Sequence, residues 1–151
     1  MFLIQLIPAG RSNPPVTGEI AAPADVAPAL RRACYDCHSN ETRWPWYSRV
    51  APISWFIVHD VNEGRDELNF SQWTLLKEKK QIKLRSKIWE EIEEGEMPPF
   101  KYLLFHPEAR LTDAERTALR AWSETADAQS RYSGDGRHDE DEGGGRSEHN
   151  E

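Results

Sequence analysis

The stretch Cys34-Tyr35-Asp36-Cys37-His38 decides the fold of this chain. Its pattern, Cys-x-x-Cys-His, is the attachment signature of a c-type haem. In a helix, residues at spacings of three and four lie on one face, so Cys34, Cys37 and His38 would project together. Two thiols could then form thioethers to the haem vinyl groups while the imidazole reaches the iron. We therefore predict that Cys34 and Cys37 bind haem c covalently and that His38 is a ligand of its iron.

Three other chemistries also use two closely spaced cysteines. A thioredoxin-type dithiol is typical of a βαβ pattern, and the sequence shows no such alternation. A disulfide between Cys34 and Cys37 would close too small a loop to stabilise much. A structural zinc site needs four ligands, and the chain has no third cysteine. The histidines that could complete a zinc set are His59, His106, His138 and His149.

Charge and composition divide the 151 residues into a body and two ends. From residue 130 the chain has almost no apolar side chain, so we predict a disordered acidic tail over 130–151. Residues 127–151 hold eight acids and three arginines, a net charge of −5 out of −7 for the whole chain. The body then carries about −2, and nucleic-acid binding has no electrostatic support. We place a single haem domain at 23–129.

The first 22 residues are interpreted as an apolar segment followed by a proline-rich linker. Residues 1–7 are apolar apart from Gln5, but this run is far too short to span a bilayer. Two interpretations remain open: a short buried segment of the domain, or the end of a longer export or anchor helix that begins upstream. We favour the second. Thioether attachment takes place on the exported side of the membrane in the systems that this motif resembles, so we expect a periplasmic or periplasm-facing protein with an inner-membrane tether.

The body contains helical patterns separated by proline-marked loops, with no period-2 run long enough for a strand. The first predicted helix covers 26–37, with Asp25 as its N-cap, and the second covers 51–64. The third covers 71–94, with Ser71 as its cap and Gly95 at its end. The last helix begins at a capping box formed by Thr112 and Glu115. The fold class is therefore all-α, with about four to five helices.

Trp44, Trp46 and Tyr47 place three rings within four residues, around Pro45. The proline interrupts a helix, and rings this close together need a flat apolar partner to cover. We predict that Trp44 and Trp46 contact the haem edge. Burial in an ordinary protein core is the alternative.

A haem iron held by His38 on one side needs a second ligand on the other. Apart from Met1, the chain has one methionine, Met97, and two prolines restrict the backbone after it. We predict that the Met97 sulfur is this ligand, since His/Met ligation is the electron-transfer arrangement and methionine raises the reduction potential. His59 and His106 are the competing ligands. We also expect the other ring N–H of His38 to donate to a backbone carbonyl, which would fix its tautomer.

The chain contains, in order, the segments CYDCHSNETRWPWYS, APISWFIVHDVNEGRDELNFSQW, GEMPP and YLLFHPEARLTDAER. Together they resemble the bacterial haem-binding domain family of small c-type cytochromes, over about residues 11–125. The resemblance implies a bundle like that of class I cytochromes c, a haem held by Cys34 and Cys37, His38 as the proximal ligand and Met97 as the distal ligand. The resemblance does not give a redox partner, and we expect unidentified redox proteins from the electron-transfer interpretation.

One-electron transfer, rather than catalysis, is the function that these residues favour. The sequence has no Gly-rich phosphate loop, nucleophile elbow or His-Glu-x-x-His motif. Two alternatives require an open sixth position on the iron. One is a peroxidase-like enzyme with His59 as its acid–base group, and the other is a gas or ligand sensor in which the ligand displaces Met97.

Overall fold

The computed structural model describes residues 9–135. Within these residues the chain forms six α-helices and no strand, which confirms the all-α class. The helices are α1 (Ala27–Ala33), α2 (Tyr35–His38), α3 (Ile53–Glu67), α4 (Glu78–Glu93), α5 (Phe100–Phe105) and α6 (Asp113–Asp135). Short 3-10 helices lie at Trp46–Arg49, Trp73–Leu75 and Pro107–Ala109.

The predicted helix over 26–37 is in fact two helices that meet at Cys34. Cys34 has φ −123° and ψ −31°, away from helical values, although its N–H still donates to the carbonyl four residues earlier. The N–H of His38 donates to the Cys34 carbonyl at 2.9 Å and so forms the next turn. The Asp25 cap is also wrong, because Val26 occupies the N-cap position and no side chain caps the helix.

The predicted helix over 71–94 begins only at Glu78. Ser71 does not cap it, because its side chain is buried and accepts a hydrogen bond from the Asn40 N–H at 2.9 Å. A short 3-10 helix fills the interval. The end of the helix is as predicted: Gly95 has φ +80°, a left-handed conformation that glycine adopts without steric cost.

Helices α4 and α6 pack along each other as an antiparallel pair. Arg116, near the start of α6, donates to the Ile92 carbonyl near the end of α4 at 3.1 Å. Farther along α6, the Trp122 ring lies 5.1 Å from the guanidinium of Arg85. The hydrophobic core lies between this helix pair and α1, and it also includes α2 and the segments before α1 and after α3. The buried residues of the core are Ile20, Val26, Ala29, Leu30, Tyr35, Phe70, Trp73, Leu84, Ile92, Leu119 and Trp122.

Helix α6 begins at the predicted capping box. The Thr112 N–H donates to Glu115 Oε2 at 2.9 Å, and the Glu115 N–H donates to Thr112 Oγ1 at 3.3 Å. The helix continues to Asp135, past the predicted domain end at residue 129. An established helix gains a backbone hydrogen bond with each added residue, so it can extend beyond its last apolar contact. The rest of the predicted tail, 136–151, lies outside the described residues.

The proline-rich stretch that we predicted as a linker belongs to the folded domain. The Thr17 N–H donates to the Ser71 carbonyl at 3.0 Å, and the Ile20 N–H donates to the Phe70 carbonyl at 3.0 Å. The Ile20 side chain is 8% exposed and packs into the core. The boundary predicted at residue 22 is therefore wrong, because the segment has backbone partners and an apolar anchor that its composition does not reveal.

The apolar start of the chain, residues 1–8, lies outside the described residues. Among the helices of residues 9–135, none is long and apolar enough to cross a membrane.

Packing of the proline-rich stretch can be tested with two substitutions that each shorten an apolar side chain to alanine. We expect Ile20→Ala to lower the free energy of unfolding by about 2–4 kcal/mol, because it removes a core side chain and leaves a cavity. Val16→Ala is the control, since Val16 is 44% exposed, and its effect should stay within about 0.5 kcal/mol. Urea unfolding measures both. Equal, small effects would show that the stretch is a linker after all.

Candidate functional site

The 34–38 turn brings the three motif side chains together where α1 meets α2. The N–H groups of Cys37 and His38 both donate to the Cys34 carbonyl, at 3.2 and 2.9 Å, so the three residues occupy one turn. Both cysteines are half-buried, and neither is in a disulfide. The disulfide alternative is therefore absent from this structure, and the one-turn placement expected from the sequence is present.

Burial changes the acidity of both thiols. The pKa of Cys34 is raised to about 12, because burial disfavours the thiolate and a nearby Cys37 charge would disfavour it further. The pKa of Cys37 is raised to about 11 by burial and by the Asp36 carboxylate. A redox-active dithiol has a lowered thiol pKa, whereas these thiols stay protonated at neutral pH. The thioredoxin-type alternative does not fit this site.

The zinc alternative requires several ligands in one place. Within residues 9–135, no three side chains of His, Cys, Asp or Glu are grouped so that they could hold a metal ion. His138 and His149, which we considered as zinc ligands, lie outside these residues.

The end of α3 fixes the His38 ring. Its Nδ1 lies 2.7 Å from the Gly64 carbonyl oxygen and 3.2 Å from that of Leu68. A carbonyl can only accept, so Nδ1 carries the proton and Nε2 has the lone pair. Burial lowers the pKa of His38, which keeps the ring neutral. The predicted donation to a backbone carbonyl is confirmed, and Nε2 is the nitrogen able to bind a metal ion.

Gly64 lets α3 approach the 34–38 turn closely. A Cβ at this position would lie 2.8 Å from the Cys37 carbonyl oxygen, closer than real side chains come. We had interpreted Gly64 as the end of a helix over 51–64, but α3 continues to Glu67. The missing side chain serves close packing rather than helix termination. Gly64 is therefore a site residue whose role the sequence prediction missed.

Polar side chains hold the segment after the motif against the end of α3. Arg65 Nε donates to the Ser39 carbonyl at 2.7 Å, and Arg65 Nη2 donates to Thr42 Oγ1 at 2.8 Å. Asn69 Nδ2 donates to Asn40 Oδ1 at 2.8 Å. These contacts join residues far apart in the chain, and no local pattern marks them.

Asp36, inside the motif, connects α2 to two other parts of the domain. Its Oδ2 accepts a hydrogen bond from the Tyr102 hydroxyl at 2.8 Å, and its Oδ1 accepts one from the Arg43 N–H at 3.0 Å. Burial and the adjacent Asp36 carboxylate raise the pKa of Tyr102, so its hydroxyl keeps the proton that it donates. Helix α5, which we did not predict, is thereby held next to α2.

Met97 lies in the loop between α4 and α5. Its N–H and that of Glu96 both donate to the Glu91 carbonyl at 3.0 Å, so the loop folds back on the end of α4. The residue is half-buried. These contacts fix the Met97 backbone, while the role of its sulfur stays a prediction.

His59 and His106, the competing ligands, make polar contacts of their own. His59 is exposed, and its Nε2 lies 3.8 Å from Glu63 Oε2. His106 Nε2 lies 2.6 Å from the Tyr47 hydroxyl, and its Nδ1 lies 3.1 Å from Glu108 Oε1. Both ring nitrogens of His106 are therefore engaged, and iron ligation would break one of these contacts.

The two tryptophans of the proline-broken segment differ in exposure. Trp44 is half-buried, and its Nε1 donates to Asn13 Oδ1 at 3.1 Å. Trp46 is 77% exposed, so the alternative of burial in a protein core is wrong for this residue. Trp44 also lines an open cleft of about 350 Å³, together with Asp36, Arg43, Pro45, His106 and Glu108. Contact of either ring with a haem stays a prediction.

Six large apolar side chains are exposed on α3, on α5 and in the segment before α3, and we call them the apolar surface; they are Trp46, Ile53, Phe56, Phe100, Leu104 and Phe105. On α3, spacings of three and four place Ile53, Phe56 and Asp60 on the same face as Gly64. Lys101 of α5 pairs with Asp60 at 2.7 Å, which brings α5 alongside that face. Large apolar side chains exposed on neighbouring elements are typical of a binding surface.

These features fit a haem. The two thiols are reduced and one turn apart, and the imidazole beside them has its lone pair on Nε2. The apolar surface starts on the same face of α3 that meets Cys37. A haem needs a ligand for its iron and apolar side chains around its ring, and the residues of this site could supply both.

Comparison with known proteins gives one match. The model of the haem-binding domain family matches residues 1–125 of this chain. Searches of curated proteins and of solved structures each found no match. Since the family model covers most of the chain and the site fits its cofactor, this protein belongs to the haem-binding domain family.

Proposed function

We propose that this domain binds its haem covalently, as haem c, and works as a one-electron carrier. The observation that carries the proposal is the His38 ring, whose Nδ1–H donates to Gly64 while its Nε2 stays available, within one turn of two reduced cysteines. When bound, the haem would supply a couple between ferrous and ferric iron.

Cys34 and Cys37 would hold the haem through thioether bonds. In each bond the S–H adds across a vinyl group, with the sulfur on one carbon and the hydrogen on the other, so the reaction needs no oxidant. The reaction requires reduced thiols. The raised pKa values of Cys34 and Cys37 keep both thiols protonated, so that few thiolates form that could be consumed in other reactions.

Met97 is the residue we propose on the other side of the iron. Two observations support it over the histidines. His106 has both ring nitrogens engaged, and His59 is five residues from Gly64, a spacing that places it on a different face of α3. The Met97 backbone is held in its loop, which limits the entropy lost on ligation.

The apolar surface would exclude water from the cofactor. Burial of the haem against Phe56, Phe100 and Leu104 would disfavour charge at the iron and contribute to its reduction potential. We propose that Trp44 and Trp46 also exclude water from the haem, as contacts at its edge. With His38 and Met97 as the residues that hold its iron, the haem would supply one-electron chemistry without binding of a substrate to iron.

Location and partners form part of the proposal. Thioether attachment on the exported side of the membrane supports a periplasmic or periplasm-facing site, with a tether through an N-terminal anchor. The partners would be redox proteins. The peroxidase-like and sensor alternatives need an open iron position, and His59, the acid–base candidate of the first, is exposed with its Nε2 3.8 Å from Glu63 Oε2.

Substitution of Met97 tests the electron-carrier proposal. We expect Met97→Ala to abolish the thioether charge-transfer band of the ferric protein and to lower the reduction potential by on the order of 100 mV or more, since axial ligands set haem potentials over about 0.8 V. Absorption spectra and a redox titration measure both changes.

His59→Ala and His106→Ala are the controls and should leave the band in place. The ligand assignment fails if Met97→Ala keeps the band while a histidine substitution removes the low-spin state. A high-spin wild type would favour the enzyme or sensor alternatives instead.

Substitution of Gly64 tests the orientation of the proximal ligand. We expect Gly64→Ala to lower the free energy of unfolding by about 1–3 kcal/mol, because the new Cβ overlaps the Cys37 carbonyl. The displaced α3 would weaken the hydrogen bond to His38 Nδ1, so the imidazole becomes less basic, ferric iron less stable and the potential higher.

Gly10→Ala is the matched control, since nothing lies within 4 Å of a Cβ built at Gly10. Equal stabilities and potentials for the two variants would contradict the role given to Gly64.

A further inference from the structure

The first half of α4 and the residue before it carry an unpaired lysine cluster, defined by Lys77, Lys79, Lys80 and Lys83. All four side chains are exposed, and none has an ion-pair partner among residues 9–126. Other lysines of the domain are paired: Lys87 Nζ lies 3.2 Å from Glu67 Oε2, for example. The cluster is therefore a basic surface on a chain whose net charge is −7.

Helix stability does not explain where these lysines lie. The start of a helix carries partial positive charge and its end partial negative charge, so acids are favoured early and bases late. Apart from Glu78, α4 has the opposite order, with lysines in its first half and no basic residue in its last turn. Glutamates occupy that end, at Glu90, Glu91, Glu93 and Glu94. An anion from outside the helix would compensate this arrangement at the lysine end.

The described part of α6 runs towards the lysine end of α4. Because α6 is antiparallel to α4, its early residue Arg116 meets Ile92, and its later residue Trp122 meets Arg85. Residues beyond Trp122 therefore run towards the lysine end of α4. The helix ends at Asp135, and the sequence continues a few residues later with Asp139-Glu140-Asp141-Glu142, the acidic segment.

The distances allow the acidic segment to reach the lysine cluster. Asp139 follows Asp135 by four positions, and an extended chain spans about 13 Å over that interval. The lysine cluster covers about 9 Å along the axis of α4, at 1.5 Å per residue. Gly136 follows α6 directly, and glycine permits a reversal of direction at low steric cost.

We propose that the lysine cluster is the docking surface for the chain's own acidic segment, residues 139–142. Single exposed ion pairs are weak, but four carboxylates tethered beside four ammonium groups act at a high effective concentration. The contact would be sensitive to salt, since exposed charges are screened over about 10 Å at 0.1 M ionic strength. An acidic redox partner that used the same lysines would first have to displace the segment.

Zero-length carbodiimide coupling tests this contact in the full-length, haem-loaded protein. The reagent condenses a carboxylate with an amine in contact with it, taking up the water that is lost, and mass spectrometry of the digest identifies the amide links. At low ionic strength and low protein concentration, we expect links from residues 139–142 to the lysine cluster, with a yield that falls at least several-fold in 0.5 M salt.

We compare a variant in which the four acids are neutralised, Asp139→Asn/Glu140→Gln/Asp141→Asn/Glu142→Gln. This variant has no carboxylate at 139–142 for the reagent to activate, so it cannot form these links. Its four lysines should also form no links to the rest of the tail. Glu148→Gln/Glu151→Gln is the control and should keep the wild-type links. Three results would overturn the proposal: no links at low salt, links whose yield rises with protein concentration and so join two copies, or equal yields at low and high salt.

Discussion

The close approach of α3 to the 34–38 turn is the constraint on which the site depends. It requires a residue without a side chain, and Gly64 provides it, since a Cβ there would lie 2.8 Å from the Cys37 carbonyl oxygen. The same approach brings two carbonyls to His38 Nδ1, so one glycine sets both the packing and the tautomer of the proposed ligand. The face of α3 that includes Gly64 continues to Phe56, which belongs to the exposed apolar surface.

Hydrogen bonds to Asp36 position the other side of the site, where α5 lies. Asp36 lies between the two cysteines, and its carboxylate accepts hydrogen bonds from Arg43 and Tyr102. Tyr102 belongs to α5, which follows the Met97 loop, so the motif is connected to the loop that carries the proposed distal ligand. Lys101 adds an ion pair from α5 to α3. The apolar surface thus lies on elements that are joined to one another by polar contacts at their edges.

Signals confined to a few neighbouring residues were enough to predict part of this structure. The capping box at Thr112 and the helix end at Gly95 depend on local backbone geometry, and both are confirmed. Ser71 and Gly64 carried equally good local signals for a cap and a stop, yet tertiary contacts gave them other roles. The packing of Ile20 and the whole of α5 were missed, because their partners lie far away in the chain and short segments carry too little periodicity to reveal them.

The central claim is that Cys34 and Cys37 hold the haem covalently, beside a His38 ring oriented for iron. The mass of the denatured polypeptide, purified from a host with c-type maturation, tests this most directly. The account predicts the mass of the chain plus one haem for the wild type and the mass of the bare chain for Cys34→Ser/Cys37→Ser. A wild type that releases its haem on denaturation, or a double variant that retains it, would contradict the account.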